Sequence, residues 1–313
     1  ALLLTEDKET VSVLQGGDWV ELITELGELG RVMALTRNEN VVIEKHGHYQ
    51  NVEGSARMGM VLDDGVDLRL FFSRWKNALA VRSESRKGPL RSIQFFDEYG
   101  EAIHKVYVFA DGEVDAFEKL VERRRTDTAP TLVPRPVEQT SAEVNDASID
   151  VEDLRAQWSA LRNTHDFYPM LARFGLGRRQ AMRLAGEQFA RPLAPNAYAE
   201  LVKTMAEDAL PFMAFVGNPG CIQIHSGVAK KIVELEAWFN VFDPDFNLHV
   251  KDTAITECWA VRKPTEEHGD IWSVEAFDDR NENVLSVFGL RKRDNPDSPE
   301  WMRTFQGLVE NLR

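Results

Sequence analysis

Apolar and polar positions alternate through most of the first third of the chain. RVMALTR (31–37), NVVIEKH (40–46), ARMGMVL (56–62), VDLRLFF (66–72), NALAVRS (77–83), SIQFFD (92–97) and AIHKVYVF (102–109) read as strands. RNEN, DDG, KGP and DEYG punctuate them as turns. Ahead of these runs, DWVELITELGELG (18–30) places Trp19, Leu22, Ile23 and Leu26 on one helical face, with Asp18 able to cap it. Behind them, EVDAFEKLVERRR (113–125) reads as a closing helix. Hairpin-spaced strands closed by a helix predict antiparallel α+β architecture rather than βαβ units.

The pattern breaks at 126–147, where three prolines and many small polar residues predict an extended linker. Helical spacing resumes in VEDLRAQWSALRN and in THDFYPMLARFGLGRRQAMRLAG (164–186), and again in AYAELVKTMAED (197–208). Then the first part of the chain returns. TRN (36–38), VLDD (61–64), VDLRL (66–70) and AVR (80–82) match VGN (216–218), VFDP (241–244), FNLHV (246–250) and AVR (260–262), all at an offset of 180 residues. SIQFFD matches SVEAFD (273–278) at 181, and FEKLVE (117–122) matches FQGLVE (305–310) at 188. Matches held in order, with an offset that drifts only slightly, predict a duplicated domain. The expected organisation is a first repeat over 1–125, a linker over 126–147, and a second repeat over 148–313 with a helical insert at 148–208. Two similar halves, each with a large antiparallel sheet and flanking helices, would place a ligand cleft between them.

Composition narrows the function classes. A length of 313 residues with 43% hydrophobic content suits two packed domains. No apolar run reaches the ~18 residues of a membrane-spanning helix, so membrane insertion is not expected. ALLLTED turns acidic too early for a signal peptide, and the absence of Met at the start suggests a trimmed N-terminus. Cys221 and Cys258 lie in apolar strand-like runs and read as buried thiols of a reducing cytoplasm. The net charge of −14 argues against broad nucleic-acid binding.

Against that acidity, residues 151–186 stand out. They hold six arginines (155, 162, 173, 178, 179 and 183) and three acids (Glu152, Asp153 and Asp166). A locally basic strip with one histidine suggests a site for an anionic, metal-containing ligand. Thr164 stands where a helix cap would sit, leaving His165 in the first turn. Tyr168, three residues on, shares the face of His165 and could act as an oxygen ligand, a hydrogen-bonding group or packing. Arg178 and Arg179 follow Gly175 and Gly177 at the start of the next helix, where a carboxylate or phosphate is favoured. His46 and His48 form an HxH pair without a carboxylate or thiolate cluster, which argues against metal binding. His104, His225, His249 and His268 read as structural. Sequence motifs for nucleophilic serine, phosphate-loop, dinucleotide and zinc-protease chemistry are absent, so no catalytic residue is assigned.

LGRVMALTRNENVVIEKHGHYQNV, THDFYPMLARFGLGRRQAMRLAG, FVGNPGCIQIHSG, WFNVFDPDFNLHV and WAVRKPTE span nearly the whole chain. Together they resemble the HemS/HmuS/ChuS/PhuS family of haemin-degrading and haem-trafficking proteins. The resemblance implies haem b as cargo in the cleft, with His165 as axial iron ligand. It also implies Arg74 of FFSRW on the opposite haem face. Arg178, Lys263, Arg291 and Arg303 map onto cations at the propionates or haem edge. Phe167, Tyr168, Met170, Phe174 and Phe288 are expected to line an apolar slot. Some members carry another histidine where this chain has Tyr168, so ligand switching that needs that histidine does not carry over. The implied function is cytoplasmic haem binding and trafficking, with a haem importer as donor and a haem oxygenase as acceptor. The alternative is a haem-degrading enzyme that opens the porphyrin with an external reductant.

Overall fold

A computed structural model describes residues 10–86, 88–109, 112–136, 143–266, 269–290 and 299–312. Strand β1 (Val11–Leu14) and helix α1 (Trp19–Glu25) come first. Strands β2 (Val32–Arg37), β3 (Val41–Gly47), β4 (Val52–Gly54), β5 (Met58–Leu62), β6 (Asp67–Phe71), β7 (Asn77–Ser85), β8 (Gly88–Phe96) and β9 (Ala102–Val108) follow, then α2 (Val114–Arg124). Three helices come next: α3 (Val151–Ser159), α4 (Phe167–Phe174) and α5 (Arg178–Ala185). The second copy opens with β10 (Ala190–Leu193) and α6 (Ala197–Glu207). It continues through β11 (Phe212–Asn218), β12 (Cys221–Gly227), β13 (Ile232–Leu235), β14 (Trp238–Phe242), β15 (Phe246–Lys251), β16 (Glu257–Thr265), β17 (Gly269–Phe277), β18 (Asn283–Gly289) and α7 (Pro299–Asn311).

The expected strands form because alternation lets each bury one face. In β3, Val41, Ile43, Lys45 and Gly47 point inward and their neighbours are only half-buried. Gly47 is the last residue of this strand. A Cβ there would lie 2.7 Å from the Gly65 Cα, so the close approach of two backbones explains the glycine. Asp18 caps α1 as expected, accepting the Glu21 N–H at 3.0 Å.

The strands build two nine-stranded sheets. One runs β1-β7-β8-β9-β2-β3-β15-β14-β13, the other β10-β16-β17-β18-β11-β12-β6-β5-β4. Each sheet therefore takes six strands from one copy and three from the other. β10 pairs with β16 as β1 pairs with β7, in matching register: Ala190 opposite Val261, Val11 opposite Val81. With β10 and α6 answering to β1 and α1, the part without a counterpart is α3–α5.

Residues also group into two compact units. One comprises 1–137, 216–225 and 243–249; the other comprises 138–215, 226–242 and 250–313. Within the first unit, segments of the two copies meet as equivalents. Asn38 donates to the Gly217 carbonyl at 3.2 Å, and Asn218 donates to the Arg37 carbonyl at 2.8 Å. Lys45 Nζ lies 3.3 Å from Nδ1 of His225, the residue 180 positions later. The Asn38–Gly217 and Asn218–Arg37 bonds interchange under the 180-residue offset, so equivalent positions of the two copies meet here.

Within the second unit, α3–α5 pack Leu154, Trp158, Phe167, Met170, Ala181 and Met182 against Val261 and Phe277 of the sheet. The Trp158 indole N–H donates to the Arg262 carbonyl at 2.9 Å, tying α3 to β16. On the other face of β17, Trp272 meets Phe305 of α7 with ring centroids 5.3 Å apart. Strand alternation thus assigns α3–α5 and α7 to opposite faces of this sheet.

Candidate functional site

His165 occupies a single 3-10 turn, Thr164–Asp166, immediately before α4. Asn163 builds that turn. Its side-chain oxygen accepts the N–H groups of His165 at 2.8 Å and Asp166 at 3.2 Å, and the Asp166 carboxylate accepts the Asn163 N–H at 3.3 Å. This capping box takes the place of the expected Thr164 cap, because Asn163 has the extended backbone that a cap requires. At the other end, Gly175 takes the left-handed conformation (φ 65°) that stops α4. The His165 imidazole is exposed and makes no hydrogen bond among the described residues. Tyr168 is 60% exposed on the same short helix.

Phe167 and Met170 point the other way, into the helical core. The expectation that they line a ligand slot is not met, because α4 buries them to hold itself against the sheet. Phe174 is partly buried against the same core.

Beneath Tyr168 lies a charged cluster centred on Glu275 of β17. The Glu275 side chain is 0% exposed. Arg178, the first residue of α5, grips it with Nε to Oε2 and Nη2 to Oε1, both at 2.6 Å. Lys263 Nζ donates to Oε1 at 2.7 Å, and the Ser273 hydroxyl donates to the same Oε1 at 3.1 Å. The remaining Arg178 nitrogen, Nη1, donates to the Tyr168 hydroxyl. Rings complete the setting: Lys263 Nζ sits 4.7 Å from the Phe167 centroid, and the Arg178 guanidinium 5.3 Å from that of Tyr168.

Burial pushes the Glu275 carboxyl up, but the charges of Arg178 and Lys263 outweigh it and hold the group at about 2. Burial works against the Arg178 charge, and Glu275 followed by Tyr168 more than restores it, so its ordinary value is raised. Two cations thus share one buried carboxylate. Glu275 escaped the sequence reading. Its signal lay in the repeat: SVEAFD carries Glu275 where SIQFFD carries Gln94, and Lys263 stands where the first copy has Ser83.

The structure brings four of the expected residues to one place. Arg178 and Lys263 meet on Glu275, and Tyr168 joins through Arg178. Phe288 on β18 pairs in register with Ser273, so it shares that sheet face, and it packs edge-on to Phe215 at 4.9 Å. His165 begins the same helical segment as Tyr168. Arg303 does not join them. It is 69% exposed on α7, paired with Glu300 at 3.5 Å, over the opposite sheet face. Arg74 lies in the first unit, exposed in the 3-10 turn Phe72–Arg74, without a hydrogen bond or ion pair among the described residues. Arg291 lies outside the described residues, as does His268.

The basic strip is less basic than its residue count suggests. Arg179 is held by Glu257 (Nε to Oε2, 2.8 Å), and Arg183 by Glu143 (2.7 Å) and Asp146. Arg162 pairs with Glu266 at 3.2 Å. Arg155 pairs with Glu152 at 3.2 Å and donates to the Ala185 carbonyl at 3.0 Å, closing the end of α5. Most of these arginines fasten the helices to acids elsewhere in the chain.

The family model described as "Haemin-degrading HemS.ChuX domain" matches residues 1–123 and 175–308, well over half the chain. The chain belongs to this haemin-degrading HemS.ChuX family. The two matched segments flank 124–174, the stretch that holds His165. A relative called hemin transport protein HemS, from Yersinia enterocolitica, is 35% identical over 286 residues, covering 91% of this chain and 82% of that protein. Among solved structures, holo-PhuS, a heme-binding protein from Pseudomonas aeruginosa, superposes with a TM-score of 0.92 at 41% identity, covering 99% of this chain and 89% of that one. ChuS from Escherichia coli, described as a heme degrading enzyme, gives 0.88 at 30% identity, covering 96% and 87%. These likenesses agree with the expected α+β fold and internal duplication. Among the described residues no helix is long and apolar enough to cross a membrane.

Proposed function

We propose that this member of the HemS.ChuX family binds haem and carries it, after import, to a haem oxygenase in the cytoplasm. One observation carries the reading: an exposed imidazole, His165, stands on a capped turn three residues before Tyr168, whose hydroxyl accepts from Arg178 of the cation pair on Glu275. Haem asks for such a set: a neutral nitrogen for iron, positive charge for its carboxylates, and apolar contact. In this reading His165 ligates the iron and Arg178 and Lys263 face the haem carboxylates. Tyr168 and Phe288 contribute ring surface, while Arg74 on the other haem face rests on the family resemblance alone. A single imidazole ligand suits transfer, since cargo held by two strong ligands leaves slowly.

The test is optical. Wild-type protein is expected to take up ferric haem one to one. His165→Ala is expected to shift the Soret band and weaken binding about tenfold or more, about 1.4 kcal/mol. His46→Ala and His225→Ala are expected to leave the band in place. Identical spectra for all three variants would refute the assignment of His165.

Degradation is the competing reading, favoured by the likeness to ChuS. Product analysis with ascorbate and catalase separates the two. A discrete tetrapyrrole product supports an enzyme; bleaching only when peroxide accumulates supports a carrier.

A further inference from the structure

The duplication exposes which features of the second sheet the fold itself requires. Glu275 pairs in register with Trp259, as Gln94 in the first copy pairs with Leu79. Lys263 pairs with Ile271, as Ser83 pairs with Leu90. Even the neighbouring serine is kept. Ser92 accepts from Gln94 at 2.9 Å, and Ser273 donates to Glu275 at 3.1 Å. The same sheet position is therefore built once with a neutral amide and once with a fully buried carboxylate. Burying a carboxylate is costly unless its partners compensate, and the first copy avoids that cost altogether. The fold does not need the charge at this position.

What the charge does is visible in its partners. Each Glu275 oxygen is hydrogen-bonded, and between them they fix the Arg178 fork in its plane and anchor the Lys263 ammonium. Without the carboxylate, the Arg178 guanidinium and the Lys263 ammonium would lose the oxygen they share, Oε1. The Arg178 fork would also lose the partner that sets its direction. With it, the two cations are held side by side on one carboxylate, and the cluster reaches solvent through Tyr168, which is 60% exposed and three residues after His165.

We propose that Glu275 is a positioning residue, which holds Arg178 and Lys263 as a preformed cation pair and so gives the site its preference for a carboxylate-bearing porphyrin. This rests on the haem-binding reading above. A fixed pair meets an incoming carboxylate without first losing side-chain freedom, which is the usual gain from preorganisation.

The experiment compares ferric protoporphyrin IX with its dimethyl ester, in which both carboxylates are masked. Wild-type protein is expected to prefer the free acid. Glu275→Gln, the residue the first copy already uses, is expected to weaken binding of the free acid about tenfold and leave the ester unchanged. Arg178→Lys keeps the charge but loses the fork, and is expected to reduce the same preference with Glu275 in place. That second variant carries the test if Glu275→Gln fails to fold. Free-acid binding in Glu275→Gln as tight as wild type, or tighter, overturns the proposal, because the cations would then need no anchor. Equal losses for acid and ester overturn it too, by marking Glu275 as merely structural. Wild-type protein that binds both porphyrins equally overturns this assignment alone; wild-type protein that binds neither overturns the haem reading with it.

Discussion

Acid sensitivity should trace to a histidine that no ligand touches. His104 on β9 is buried in the first unit's core, with Nδ1 2.8 Å from the Thr36 hydroxyl and Nε2 2.5 Å from the Tyr49 hydroxyl. Burial drives its pKa down to about 3, against a slight opposing pull from the Leu35 backbone. Its neighbours do not titrate in the same range: burial raises the Tyr49 phenol and pushes the Cys221 thiol up to about 12. The unfolded chain binds a proton at His104 below pH ~6.5, whereas the folded chain refuses it until about 3. The folded value is depressed, so the stabilisation is complete above ~6.5 and is lost as the pH falls toward 3. The slope is about 1.4 kcal/mol per pH unit, and the whole interval amounts to about 5 kcal/mol. His104→Gln keeps a polar group in the network and removes the titration. Urea unfolding at pH 7.5, 6 and 5 should show wild type losing about 2 kcal/mol more than the variant between pH 7.5 and 5. Other titrating groups cancel in that difference. Parallel stability curves, or an imidazole that titrates near 6.5 in the folded protein, would refute the reasoning.

Asn163→Ala removes the cap that shapes the His165 turn. It should lower stability by about 1 kcal/mol in urea unfolding and also weaken haem binding, whereas a loss of stability alone would detach the turn from the site. Arg303→Ala should leave haem affinity within about twofold of wild type in the same optical titration, because its helix covers the opposite face of the sheet from Glu275. A tenfold loss there would show that the sheet faces have been assigned wrongly.

The strands, the closing helices and the repeat were legible because they depend on local order. Alternation at Val41, Ile43 and Lys45 marks an inward face whatever the strand later pairs with, and an offset of 180 survives any packing. The short strands β1 and β4 were not legible, since four and three residues carry too little alternation to register. The histidine turn was half legible. His165 stood out by its company, but Asn163 rather than Thr164 caps it, a choice made by backbone conformation.

Charge showed the widest gap between sequence and structure. Six arginines within 36 residues read as a basic surface, yet Arg179, Arg183 and Arg162 meet acids that the chain supplies from as far as 104 positions away. A window of sequence counts charges; only the fold decides which are neutralised, because Coulomb attraction acts across space and not along the chain. Glu275 is the clearest case. As a letter it is one acid among 51 acidic residues. Strand register sets it under α5 beside Lys263, and there it gathers two cations below an exposed tyrosine. The sequence by itself determined the α+β elements and their duplication, which follow from local pattern, and the family of this chain, through a resemblance that spans nearly its whole length. The tertiary structure alone decided which acids these arginines meet, Glu275 for Arg178 and Glu257 for Arg179. That depends on distances between residues about a hundred positions apart.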